Sequence, residues 1–390
     1  MLSLAAMFAV LSYASPASAE LKISGDAAVR ARGQFNNTET AAGSKSTYDD
    51  DLKYQYRIRL KASADLGDGY FFKSLVQNEE VAGAWGTVGP NNTEKYVLEV
   101  SNFYFGRTQE NCHFSVGRLP LNSFNNPIFD LALYPIPTTF DSAGKYAVDI
   151  PIYTHNFDRV FGINYGTKVG SGELNGTLVI LDNNSVKEDT PTKGDGLFND
   201  GYVLHVTYKN TIGNVTVEPQ AIIALTDLQA ATYQKVSPNT FGLNATVPAG
   251  KSKIGLSGFY TVCKDSKGAT GTTWSSTTIL DNSKITGFTP ANVDYSGYLL
   301  RAKGESGPVM AWVDYNHTTD KSTGTGLAET KYNNVFVWAQ YNVKVHESST
   351  GSFSLTPTLR YRASGKDIVG TDGTARNNQL RTELYATVTF

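Results

Sequence analysis

Apolar and polar residues alternate at period two along most of this 390-residue chain. Such alternation describes strands with one apolar and one polar face. From Lys53 to Ser63, one face carries Tyr54, Tyr56, Ile58, Leu60 and Ala62, and the other Lys53, Gln55, Arg57, Arg59, Lys61 and Ser63. Before it, Ile23, Gly25, Ala27, Val29, Ala31 and Phe35 alternate with Ser24, Asp26, Arg30, Arg32 and Gln34. Near the C-terminus Phe353, Leu355, Leu359 and Tyr361 alternate with Ser354, Thr356, Thr358, Arg360 and Arg362. A one-residue slip would turn every one of these arginines to the apolar face. In lipid, that costs about 2–4 kcal/mol for each arginine near the midplane.

After residue 20 no apolar stretch is long enough for a spanning helix. If the chain crosses a bilayer, it does so as a closed barrel, because every backbone group in lipid must be hydrogen-bonded. Composition agrees. Tyr (22) and Gly (36) are abundant, while Cys (2), Met (3) and Pro (14) are sparse. Mean hydropathy is −0.27, as expected when lumen-facing residues dilute lipid-facing ones. A net charge of −2 offers no basic domain for a nucleic acid.

The pattern predicts an all-β antiparallel barrel of about sixteen strands in one domain, residues 20–390. Connections alternate between short ones, such as Gly67-Asp68-Gly69 and Gln109-Glu110-Asn111, and long ones at 36–52, 80–93, 120–156, 183–199, 265–293, 318–330 and 364–375. A barrel with tight periplasmic turns and long outer loops requires that alternation. A propeller is disfavoured because no sequence repeat accompanies it. Residues 1–19 read as a signal peptide, with an apolar run from Leu2 to Ala14 and a small-residue cleavage site at Ala17-Ser18-Ala19. Cys112 and Cys263 are expected at opposite ends of the barrel and so are not expected to pair.

Closing a barrel sets the last strand beside the first. Arg30, Arg32, Arg57, Arg59, Lys61, Arg360, Arg362 and Arg381 all fall on polar faces of the first two and last two strands. They are therefore expected to form one basic patch on the lumen wall, with Arg107 and Arg118 as candidate extensions. Low-dielectric walls focus such a field across a pore.

Other chemistry is poorly represented. Asp49-Asp50-Asp51 lacks the spaced ligands and Gly of a calcium loop, and reads as a solvated run in the first long loop. The five histidines show no HExxH or paired metal spacing, and GxSxG and phosphate-binding loops are missing. The sequence thus points to a non-enzyme with no metal or cofactor.

Several short motifs extend the reading: Ala17-Ser18-Ala19, Ile23-Ser24-Gly25-Asp26, Phe105-Gly106-Arg107, Val116-Gly117-Arg118 and the terminal Phe390. With the architecture, they make the chain resemble the bacterial general porins, sixteen-stranded trimeric outer-membrane channels for small hydrophilic solutes. The resemblance implies a homotrimer in outer-membrane lipid, and a Phe390 that signals to the barrel-assembly machinery. It also implies a third long loop, here 120–156, folded into the lumen with carboxylates facing the basic wall. Asp130, Asp141 and Asp149 are the candidates in that loop, which is also rich in Pro and apolar residues. A substrate-specific sugar or anion channel is the alternative. Phe103, Phe105, Trp312, Phe336 and Trp338 have the apparent lumen-side parity for an aromatic track. A plugged adhesive or structural barrel is the third reading.

Overall fold

The computed structural model describes residues 20–78, 85–89, 97–120, 126–128, 159–182, 201–226, 239–265, 289–321, 323–325, 328–370 and 372–390. The signal and cleavage site, and Asp130, Asp141 and Asp149, lie outside the described residues.

In chain order the strands are β1 (Glu20–Glu39), β2 (Lys45–Gly67), β3 (Tyr70–Gln77), the short β4 (Gly86–Thr87), β5 (Glu99–Thr108), β6 (Cys112–Pro120) and β7 (Arg159–Val169). Then come β8 (Gly172–Asp182), β9 (Gly201–Ile212), β10 (Val215–Ala224), β11 (Asn239–Ala249), β12 (Ser252–Asp265) and β13 (Thr289–Ser306). The last are β14 (Val309–Asp320), the short β15 (Thr323–Thr325), β16 (Thr330–Tyr341), β17 (Val343–Ser348), β18 (Gly351–Ile368) and β19 (Ala375–Thr389).

All belong to one sheet, and β19 pairs with β1, so the sheet closes. Leaving aside β4 and β15, and taking β17 as the continuation of β16 past Asn342, sixteen antiparallel strands form the barrel. Among the described residues no helix is long and apolar enough to cross a membrane. Among the described residues the wall is the one element that can span, and closure leaves it no edge.

Outward positions are apolar and exposed: Val29, Tyr54, Ile163, Phe241, Leu256, Leu300, Leu359 and Leu384 are examples from around the girth. An apolar outside around a polar inside is the outer-membrane type of barrel. The ring is sealed beyond β19 by Phe390, whose backbone exchanges both hydrogen bonds with Gly25 (2.8 and 3.1 Å). Its ring lies over Gly25, where a Cβ would stand 2.8 Å from Phe390 Cζ and 2.5 Å from the Arg59 carbonyl oxygen. Only glycine fits beneath that ring.

Some expected long loops are at least half strand. Residues 36–52 continue β1 and β2 to a short turn at 40–44, and 364–375 continue β18 and β19. The backbone of Asp49 and Asp50 pairs with Phe35 and Gln34, so this run belongs to a strand and not to a loop. Polar residues on both faces hid these extensions, because there the alternation fades while the ladder continues. Cys112 opens β6 beside a short turn, Cys263 lies near the long-loop end of β12, and both are free thiols.

Candidate functional site: the inward wall from β13 round to β2

Pairing registers decide which side chains point inward. Across β18, β19, β1 and β2 the cross-strand partners include Arg360 opposite Arg381, Arg381 opposite Gln34, Arg362 opposite Gln379, Arg32 opposite Glu383, and Asp26 opposite Arg59. Arg30, Arg32, Arg57, Arg59, Lys61, Arg360, Arg362 and Arg381 thus share the inner face. Arg30, Arg32, Arg360, Arg362 and Arg381 are buried; Arg57 and Arg59 are partly buried, and Lys61 is exposed.

Two carboxylates organise these charges. Glu383, its side chain fully buried, lies 2.6 Å from Arg32 Nε, 2.8 Å from Arg360 Nε and 3.3 Å from Arg30 Nη1. The Tyr385 hydroxyl also donates to it at 2.6 Å. Asp26 accepts from Arg59 Nε at 2.9 and 3.0 Å and has Arg57 at 3.8 Å. Charges removed from water need such partners. Neutral groups serve two more: Arg381 donates to Gln34, and Arg362 reaches Asn377 at 3.4 Å.

Aromatic rings continue the wall. Trp312 and Trp338 stack at 4.7 Å between centroids with planes 11° apart, beside Phe336. Arg360 lies 3.8 Å over Trp338, and Arg301 lies 5.4 Å over Trp312. Arg301 is also clamped by Asp314 through two bonds of 2.6 and 2.7 Å. On the other flank Arg30 donates to the Tyr385 hydroxyl at 3.1 Å and to Gln55 at 2.8 Å. Trp85, from the connection after β3, stands 4.4 Å from Arg30 and 4.5 Å from Arg57. The result is one rail from Arg301 through Trp312, Trp338, Arg360, Tyr385, Arg30 and Trp85 to Arg57. Planar guanidinium groups suit it, because each can stack by its face and hydrogen-bond by its edge.

The opposite wall differs. Inward positions on β6 to β12 include Leu119, Val160, Val179, Val203, Ile222 and Phe259, all buried. Residues 126–128 of the longest connection rest inside the barrel against it. Asn126 donates to Gln220 at 2.8 Å and accepts from Asn244 at 3.1 Å, and Ile128 is 0% exposed.

Arg107 and Arg118 correct the sequence reading, as do Phe103 and Phe105. Between β3 and β5, Gln77 faces Glu99 but Leu75 faces Asn102, so β5 carries one extra residue. Such a bulge swaps the faces of everything beyond it. Asn102 and Tyr104 therefore point inward, while Phe103 (42% exposed), Phe105 (52%) and Arg107 point outward. Arg107 lies near the short-turn end, donates to the Asp68 carbonyl and stacks over Tyr70 at 4.7 Å. Arg118 pairs with Phe103 and Phe161, both outward, at the long-loop end. Trp312, Phe336 and Trp338 do face inward. Sequence reading missed Trp85 and the role of Glu383. No pattern marks Trp85, and Glu383 reads as one acid in a polar face.

No family model matches the sequence, and no curated protein does. Among solved structures, the chain is similar to the anion-selective porin from Comamonas acidovorans, at 12% identity over 96% of this chain and 100% of that one, TM-score 0.49. It is likewise similar to the outer membrane channel DcaP of Acinetobacter baumannii, at 12% identity over 96% of this chain and 99% of that one, TM-score 0.49. A third likeness is to the in-vitro folded OmpT, an outer membrane protein of Vibrio cholerae, at 12% identity over 96% of this chain and 99% of that one, TM-score 0.49.

Proposed function

We propose that this chain is a porin of the Gram-negative outer membrane, a passive channel for small hydrophilic solutes and ions that favours anions. The observation that carries the reading is the contiguous set of inward arginines on β18, β19, β1 and β2, with Glu383 and Asp26 as the carboxylates among them. Guanidinium charge on a low-dielectric wall raises the local concentration of anions. Asp130, Asp141 and Asp149 are the proposed acidic side, carried by the connection whose Asn126 and Ile128 sit inside the barrel. A homotrimer, removal of residues 1–19, and recognition of Phe390 by assembly machinery belong to the same proposal. No enzymatic role is proposed.

Planar-bilayer recording of the purified protein under a salt gradient tests it. Steady ohmic steps with a reversal potential on the anion side are expected. A silent protein, or a cation-side potential, would refute the reading. A substrate-specific channel is favoured by one observation, the stacked Trp312–Trp338 pair between Arg301 and Arg360. Blockade of the current by a single solute class would distinguish it.

A further inference from the structure

Long outer loops of a barrel are free to leave the wall, yet residues 85–89 join it. Gly86 and Thr87 form β4 and pair with Tyr56 and Gln55 of β2. Val88 donates from its backbone to the Tyr54 carbonyl at 3.0 Å, and Gln55 Nε2 donates to Thr87 Oγ1 at 3.0 Å. The approach is close. A Cβ on Gly86 would lie 2.3 Å from Tyr56 Cζ and 2.4 Å from its hydroxyl, so the glycine lets this backbone lie flat on the ring. Side chains alternate along the added strand, and Trp85 falls on the inward side. There it meets Arg30, Arg57 and, edge-on at 5.4 Å, Tyr385.

We propose that Trp85 is a selectivity-determining residue of the pore, a constriction element supplied by the connection between β3 and β5. The proposal rests on the channel reading and adds a residue, and a second loop, to it. The indole acts in two ways. It occupies cross-section that water would otherwise fill, beside the basic wall. It also covers one face of each of two guanidinium groups, Arg30 and Arg57, with low-dielectric material, so their field is less screened in the remaining water. Each of those guanidinium groups also keeps an anionic neighbour. Arg30 holds Gln55, Tyr385 and Glu383, and Arg57 stands 3.8 Å from Asp26. Trp85 therefore fixes where the positive charge sits as well as how much water surrounds it.

The test compares the parent, Trp85→Ala and Trp85→Phe in planar bilayers under a salt gradient, after each is shown to be heat-modifiable on gels. The parent is recorded first. Trp85→Ala is expected to raise single-channel conductance and to move the reversal potential toward zero, that is, toward weaker anion preference. Trp85→Phe keeps a π face beside the two arginines and is expected to stay near the parent in both. A conducting parent whose Trp85→Ala variant keeps the parental reversal potential would overturn the role of Trp85 and leave the channel standing. A parent that conducts nothing would overturn both.

Discussion

The two halves of the inner wall follow the same alternation and end in opposite chemistry. From β13 round to β2 the inward side chains include arginines, their carboxylates and stacked rings, set among amides such as Gln34, Asn316, Asn334 and Asn377. From β6 to β12 they are mostly aliphatic or small and neutral, such as Val179, Val203, Ile222, Thr240 and Thr261. Residues 126–128 meet the second half, where Asn126 bonds to Gln220 and Asn244 and Ile128 is buried. An inner face covered by protein can be apolar, because it is shielded from water. The charged half balances its own burial by pairing. Three arginines share Glu383 and two share Asp26. The inner surface is therefore asymmetric, with residues 126–128 against one wall and the paired arginines on the other.

Variants on the two walls should separate in kind as well as in size. The largest effect is expected at Glu383. Glu383→Gln removes the charge that three arginines share, and stranding buried charges typically costs about 3–5 kcal/mol. The urea midpoint of the barrel in detergent should fall, and any protein that inserts should be more anion-preferring. An unchanged midpoint would mean that the arginines find other partners.

Next comes the double change Arg57→Glu and Arg59→Glu. Each position goes from +1 to −1, so the wall changes by four units. The two residues stand ~7 Å apart on one face, inside the Debye length of about 8 Å at physiological salt. The reversal potential should move clearly toward cations, and move less at high salt, where the range falls to ~3 Å. A variant that inserts normally yet keeps the parental potential at low salt would remove the field-bearing role from this wall.

On the other wall, Asn126→Ala loses its bonds to Gln220 and Asn244, each worth about 0.5–1.5 kcal/mol. Global stability should barely change. Brief current closures should become more frequent as the docked segment lifts more often, while selectivity stays near the parent. A shift in reversal potential as large as that of the arginine pair would erase the distinction between the walls. The smallest effect is expected for Arg107→Glu and Arg118→Glu. Both side chains are outside the lumen, so the reversal potential should not move. A cation-side shift would place them inside and contradict the bulge in β5.

Much of this was legible in the residues. Tyr54, Tyr56, Ile58 and Leu60 against Gln55, Arg57 and Arg59 fix a register by themselves, because lipid punishes the alternative. The same holds for the arginines of β1 and β18. Alternation failed at β5, where Ser101 lies at an added residue and Phe103 to Arg107 changed sides. A bulge leaves no mark in composition, since whether a residue is extra depends on the strand beside it. Alternation also failed beyond Phe35 and Arg362, where both faces are polar and the strands nonetheless continue.

Sequence by itself determined that the chain forms a sheet of long antiparallel strands, that the sheet closes, and that arginines of its first and last strands share the inner face. Each of these follows from period two and the cost of an unpaired backbone in lipid, which act locally or on every strand alike. Tertiary structure alone decided which charges meet. Glu383 lies 351 positions from Arg32 and yet touches it, and Trp85 reaches Tyr385 from a connection with no motif of its own. Contacts between residues so far apart exist only once the ring has closed, because closure and bulges, and not local pattern, set which side chains stand opposite one another.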